Sequence, residues 1–302
     1  MGTPEFAVPS LEALVSAGHT LCGVFSQPDK PVGRHQNLLQ PTPVKAYALS
    51  QDIPVFQPVK LRDGTALATI EELKPELIVV AAYGRILPDE ILDYPARGCI
   101  NVHSSLLPKH RGAAPINWAI LNGDEETGVT IMHMAAELDA GDIIAQEATP
   151  IGRCETSAQL YTRLAHMGGE LLVKTVATIE AGTAGRIPQD AGKMTLAPML
   201  SKALSPMNWN HTATELHNQV RGLLPWPGAV TELAGVRCKI FVTAALDETT
   251  PNSPGTILSA DKEGIRVACG GSTILRIDEL QADGGKRMKA ADYLRGHPII
   301  IS

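Results

Sequence analysis

The sequence predicts an α/β fold, a doubly wound and mostly parallel sheet with helices on its faces, followed by a small β-barrel of the oligonucleotide-binding type. Three observations predict it. Through residue 182, short apolar segments alternate with helices that open on capping residues, the pattern of a layered α/β domain. One of these segments, residues 77–83 (Leu-Ile-Val-Val-Ala-Ala-Tyr), is continuously apolar, as a strand buried on both faces must be. Beyond Gly228 the helical period is replaced by five short candidate strands near 229–233, 237–245, 255–260, 264–269 and 273–277, a number that suits a small barrel.

Taken in order, Gly2-Thr3-Pro4-Glu5 reads as a helix start, with Thr3 as N-cap and Pro4 at the first helical position, where its missing N–H costs nothing. Gly18 stops that helix. Residues 21–26 form a compact apolar strand, and the prolines from 27 to 43 predict an aperiodic loop carrying Lys30, Gly33, Arg34 and His35. Thr42-Pro43 repeats the cap-and-proline signal before a helix to about Gln51. A short strand at 54–57 and a helix capped by Asp63 then lead to the strand at 77–83, which Tyr83-Gly84 closes. Residues 100–104 form a central strand and 115–121 a helix, with further strands at 129–134 and 143–148. Thr156 caps a long helix to Gly182 whose Leu160, Leu164, Leu171, Leu172, Val176 and Ile179 approximate one apolar stripe. Gly185, Pro188, Gly192 and Pro198 interrupt the next stretch, and Thr212-Ala213-Thr214-Glu215 is a capping box for a helix to Gly222. The expected organisation is a catalytic domain over 1–182, a linker over 183–202 and a second domain over 203–302.

Composition narrows the function classes. At 302 residues with 44% hydrophobic and 19% charged side chains, the chain can bury two cores. No apolar run approaches the roughly 20 residues that span a bilayer, and no leader opens the chain, so a cytoplasmic location is expected. The cysteines at 22, 99, 154, 238 and 269 are scattered without metal-ligand spacing and read as reduced and structural; no metal is expected. The net charge of −6 hides an asymmetry. Through residue 182, 13 basic residues face 21 acidic ones, whereas from 183 onward the counts are 13 and 11, a balance that permits a nucleic-acid partner without requiring one.

The chemistry concentrates in residues 98–115. Asn101 and His103 sit two apart, so on a strand they share a face, and at the carboxyl end of a buried parallel strand that face opens into the ligand crevice. Downstream, Glu-Leu-Asp-Ala-Gly-Asp (137–142) offers the carboxylate of Asp139 in a turn. An amide, an imidazole and a carboxylate suffice for addition to a carbonyl: Asn101 donates to the oxyanion, His103 handles the proton and Asp139 orients it. His133, on a strand with apolar neighbours, reads as structural.

The string Gly-Cys-Ile-Asn-Val-His-Ser-Ser-Leu-Leu-Pro (98–108), with Arg-Gly-Ala-Ala-Pro (111–115), Thr-Gly-Val-Thr-Ile-Met (127–132) and Leu-Asp-Ala-Gly-Asp (138–142), resembles the 10-formyltetrahydrofolate-dependent formyltransferases. Within that family it is most similar to those acting on charged initiator tRNA. Leu-Ser-Lys (200–202), Asn208-Trp209, Pro-Trp-Pro (225–227) and Gly-Gly-Lys-Arg-Met (284–288) extend the resemblance over essentially the whole chain. It implies transfer of a formyl group from 10-formyltetrahydrofolate to the α-amino group of methionine on initiator methionyl-tRNA, by a monomer, with Asn101, His103 and Asp139 catalytic. Ser104, Ser105, Leu106, Leu107 and Pro108, with Tyr83 and Gly84, would form the folate pocket, their backbone groups reading the pterin-like ring. Arg34, the principal contact, with Lys30 and Arg111, would meet the tRNA.

The rival readings are a formyltransferase of the same family acting on a small amine (a sugar nucleotide or glycinamide ribonucleotide), and a non-catalytic RNA-binding module. Gln36 and Asn37 stand where relatives often carry lysines, Ala135 where many have an acidic residue, and Asn208 where an aspartate is frequent. A sheet of this family opens with a buried strand leading into Gly-Thr-Pro, yet Met1 directly precedes Gly2, so the first strand is expected to be missing.

Overall fold

The computed structural model describes residues 1–32 and 38–301. The chain forms two compact units, one from Met1–Pro115, Thr127–Thr149 and Tyr161–Ala197, the other from Ile116–Glu126, Pro150–Leu160 and Pro198–Ser302.

The first unit is α/β. Its strands are β1 (Val24–Phe25), the hairpin β2 (Lys30–Val32) and β3 (Leu38–Gln40), β4 (Val55–Phe56), β5 (Ile78–Val80), β6 (Cys99–His103), β7 (Arg111–Gly112), β8 (Glu126–His133), β9 (Ile143–Pro150) and β10 (Leu196–Ala197). Parallel pairing joins β1 to β4, β5 to β6 and β7 to β10, while β8 runs antiparallel to β6. Met1 and Gly2 lie between β1 and β5: Gly2 N–H donates to Phe25 O at 2.9 Å, and the Met1 amino group donates to Val79 O at 2.7 Å. Side chains of Phe25, Ile70, Ile78, Val80, Leu87 and Ile91 make a core that fixes β5 and, through it, β6.

The capping signals fare unequally. Thr42 accepts from Lys45 N as expected, and Thr156 and Gln159 bond each other's backbone at the start of the helix Ser157–Glu180. Thr3 is a correction: it caps nothing, because Pro4 is extended and the α-helix begins only at Val8 after one turn of 3₁₀ helix. Its hydroxyl instead donates to Tyr83 O and accepts from Gln27 N, tying two strand ends together. The segment after Gly182 carries tertiary structure. Ile187 pairs with Ile143, and Leu196–Ala197 pair with Arg111–Gly112.

In the second unit the helix Ala213–Gly222 opens on the expected capping box of Thr212 and Glu215. Asn117, on the helix Pro115–Leu121, donates to Gly222 O at 2.7 Å, and a Cβ on Gly222 would meet the Leu121 side chain at 3.1 Å, a tight contact that glycine relieves where these helices approach. The strands are β11 (Ala229–Leu233), β12 (Val236–Thr249), β13 (Ile257–Asp261), β14 (Gly264–Ala268), β15 (Thr273–Ala282) and β16 (Met288–Lys289). They form one antiparallel sheet in the order β11-β12-β15-β14-β13, with β16 on β15. Among the described residues no pairing joins β11 to β13, so the sheet is open where a closed barrel was expected. Among the described residues, no helix is long and apolar enough to cross a membrane.

Candidate active site

Strand β6 delivers two of the three catalytic candidates to one place. Pairing with β5 and β8 sets Asn101 opposite Val80 and Met132, and His103 opposite Thr130, while the alternate residues Ile100 and Val102 are buried. The chain then folds back. Thr130 Oγ1 donates to Ser105 O at 2.6 Å and accepts from Leu107 N at 3.1 Å, and Gln146 Nε2 donates to Leu107 O at 2.9 Å. This loop carries the carbonyl of His110 to 3.0 Å from His103 Nε2. A carbonyl only accepts, so Nε2 bears the proton and Nδ1 is the basic nitrogen.

Nδ1 faces Asp139 Oδ2 at 3.8 Å. Asp139 adopts φ 50, and its Oδ2 accepts from Gly112 N at 2.9 Å. Gly112 passes so near β10 that a Cβ would lie 2.8 Å from Ala197 O; at Gly141, two residues past Asp139, a Cβ would come closer still, 1.8 Å from His133 O. The turn is therefore pressed against its neighbours by backbone alone. Burial lowers the pKa of His103; the Asp139 carboxylate and the hydrogen bond to the His110 carbonyl oppose that by raising it, and the charge of Arg111 lowers it further. His103 is thus neutral at pH 7, with a carboxylate in place to stabilise the imidazolium once Nδ1 takes a proton. Asn101 is half-buried, and among the described residues its side chain makes no hydrogen bond, so the amide can serve an oxyanion. An amide donor, a neutral imidazole and a half-buried carboxylate fit a formyl donor; among the described residues no cluster of His, Cys, Asp or Glu could hold a metal.

Of the other expected site residues, Ser104, Leu106 and Pro108 are half-buried, whereas Ser105 and Leu107 are buried. Ser105 Oγ donates to Lys109 O, and together with the bonds to Thr130 and Gln146 this engages the backbone of the loop largely in holding itself. Tyr83 is 2% exposed within the core of the first unit, and Gly84 O accepts from Gln27 Nε2. Lys30 is exposed at the root of the β2–β3 hairpin, and Arg34 lies outside the described residues. That root is fixed by Lys45, which bonds Asp29 at 2.5 Å and Gln57 at 2.7 Å, while Gln57 donates to Asp29. The hydrogen bond from Lys45 holds Asp29 below the usual carboxylate range. Arg111 is turned into the protein, with Nε and Nη2 donating to Gln189 Oε1 at 3.0 and 2.7 Å and Nη1 lying 3.5 Å from Glu137. Sequence reasoning missed Gln189, Gly112 and Thr130, whose contacts join segments far apart in the chain.

An α/β unit whose inner strand aligns an amide and an imidazole against a carboxylate defines a carbonyl-addition enzyme, and the chain belongs to the formyl transferase family, which matches residues 1–176, with the formyl transferase C-terminal domain matching 199–298. Its relatives narrow this. The chain is 50% identical over 299 residues to a protein of Alkaliphilus oremlandii named methionyl-tRNA formyltransferase, covering 99% of this chain and 96% of that one. It is 48% identical to the protein of that name from Moorella thermoacetica, over 99% of this chain and 96% of that one. Among solved structures, the N-formyltransferase from Helicobacter canadensis in complex with folinic acid and dTDP-3-aminofucose shares the fold at TM-score 0.69 and 21% identity, covering 91% of this chain and 96% of that one. HypX from Aquifex aeolicus in complex with tetrahydrofolic acid gives a TM-score of 0.58 at 20% identity, over 82% of this chain and 43% of that one.

Proposed function

We propose that this chain transfers the formyl group of 10-formyltetrahydrofolate to the α-amino group of methionine on initiator methionyl-tRNA. The observation that carries the reading is the convergence of Asn101, His103 and Asp139 in a chain nearly half identical, end to end, to proteins named for that reaction. The folate supplies an activated formyl carbon and leaves as a secondary amine. Asn101 donates its amide N–H to the oxyanion that forms when the methionine amine attacks. His103 Nδ1 takes the proton of the attacking amine, Asp139 stabilises the resulting imidazolium, and His103 returns the proton to the departing nitrogen.

Ser104, Leu106, Pro108 and the exposed Gly84 face the folate, supported from beneath by Ser105 and Leu107 and from the core by Tyr83. Lys30 and Arg34 meet the tRNA, Lys30 from the hairpin root that Lys45 holds; Arg111, also expected there, supports the Asp139 turn from inside. Residues 1–182 act as the catalytic domain, 183–202 as a linker, and 203–302 as an oligonucleotide-binding-like module for the tRNA, in a cytoplasmic monomer. Incubation with formyl-folate and charged initiator tRNA tests the reading, with formylmethionyl-tRNA the expected product. Formylation of a sugar nucleotide or glycinamide ribonucleotide in its place would overturn it. Arg34→Ala is expected to raise the tRNA KM and flatten its salt dependence, leaving the folate KM unchanged.

A further inference from the structure

The stretch between the two family matches, residues 177–198, contains a side chain that touches the site from behind. Gln189 uses the full hydrogen-bonding capacity of its amide. Its Oε1 accepts twice, from Arg111 Nε at 3.0 Å and Nη2 at 2.7 Å, and its Nε2 donates twice, to Asp139 O and Gly141 O at 2.8 Å each. Arg111 can only donate and the two carbonyls can only accept, so just one amide orientation is allowed. The backbone on either side of Gln189 is held too, by the Ile187–Ile143 bridge and by the Thr195 O bond from Arg111 N. Asp139 needs such support, because its φ of 50 is a conformation that residues other than glycine seldom adopt, and its carboxylate stands 3.8 Å from His103.

We propose that Gln189 is a positioning residue for formyl transfer, fixing through its amide the turn that presents the Asp139 carboxylate to His103. The proposal rests on formyl transfer being the reaction of this site. Gln189 touches no substrate and acts through Asp139. Arg111 shares the task, since its buried guanidinium orients the amide while Glu137 faces it at 3.5 Å. The groups facing His103 are Asp139, the His110 carbonyl and Arg111, so displacing the first leaves burial and Arg111 lowering the pKa against only the hydrogen bond to the His110 carbonyl.

Two variants separate the contacts. Gln189→Leu keeps the bulk and loses all four bonds; Gln189→Glu keeps an acceptor for Arg111 but sets a carboxylate against the carbonyls of 139 and 141. Both are expected to lower kcat by about 10- to 100-fold, the range of a misplaced catalytic group, with the KM for each substrate within about threefold of the parent. NMR titration of the His103 ring, identified by its loss in His103→Gln, supplies a readout independent of turnover. The His103 pKa is expected to fall in Gln189→Leu, and the acid limb of kcat/KM to move to lower pH with it. An unchanged His103 titration, or a kcat within twofold of the parent in both variants, would overturn the proposal. A parent chain inert towards charged tRNA would sink the function instead, and the titration would then decide alone whether Gln189 sets the Asp139–His103 pair.

Discussion

At the scale of single residues, rate should depend on groups whose interactions strengthen as the formyl carbon becomes tetrahedral. Asn101→Ala removes an oxyanion donor and is expected to lower kcat by about 100- to 1,000-fold while leaving both KM values nearly unchanged. Asp139→Asn keeps the shape and an acceptor for Gly112 N–H, yet removes the charge that stabilises the imidazolium, so kcat falls again without loss of binding. Steady-state kinetics with each substrate varied in turn check both, and a variant that raises only a KM contradicts its assignment. Asn101 and His103 were legible because a two-residue spacing on a strand has one geometric meaning. Asp139 was legible from its turn. Its anchor on Gly112 and its brace on Gln189 were not, because those bonds span 27 and 50 residues and leave no local pattern.

At the scale of elements, the β2–β3 hairpin, proposed above to meet the tRNA, is only as well placed as its root. Lys45→Met deletes the cation that gathers Asp29 and Gln57, and is expected to raise the KM for charged tRNA several-fold while the formyl-folate KM stays put. An equal rise in both would show that Lys45 serves the folate side. The hairpin itself escaped the sequence because Pro31 and the surrounding prolines suppress any strand signal, although Pro31 pairs opposite Leu39 in a two-stranded ladder that tolerates it. Caps were read well where a hydroxyl meets a true helix start, as at Thr42 and Thr212, and badly at Thr3, where tertiary bonds to Tyr83 and Gln27 outcompete the local one. Among the described residues, five of the six strands of the second unit were located but two were drawn short, since β12 continues past the apolar alternation into exposed residues and β15 runs on through the half-buried Asp278, Glu279 and Gln281. Sheet closure depends on pairing between distant edges, which strand count does not encode.

For the whole molecule, acid is the revealing perturbation. Burial is the main cause that lowers the pKa of His103, His133 and His217 alike. Each binds its proton more readily in the unfolded chain, so stability is undiminished above the ordinary histidine value of about 6.5 and declines as pH falls below it. Asp29, held low by Lys45, adds a loss further down, through the carboxylate range. Each unit of histidine pKa depression corresponds to about 1.4 kcal/mol. Urea denaturation between pH 8 and 5 should therefore show a midpoint that is flat and then descends, with a gentler slope in His103→Gln; a midpoint that rises on acidification would contradict it.

The alternation of the two units along the chain decides how the molecule can be cut. Each unit is assembled from three separate segments, so the polypeptide changes unit at five junctions before residue 199. A ribosome that has released residues 1–197 has already made Ile116, Ala119 and Ile120, all buried in the finished protein, but not Gly222, whose carbonyl receives Asn117. Arg221, which bonds the carbonyls of Gly152 and Glu155, is also still to come. A gene stopped after codon 197 is thus expected to yield an aggregating product with apolar helix surface in water, even though that cut falls between the two family matches. Soluble yield and gel filtration of the fragment check this; a monodisperse fragment would show that 116–126 and 150–160 find other partners. Fusion, permutation or domain exchange in this protein should respect the interleaved segments rather than the sequence midpoint.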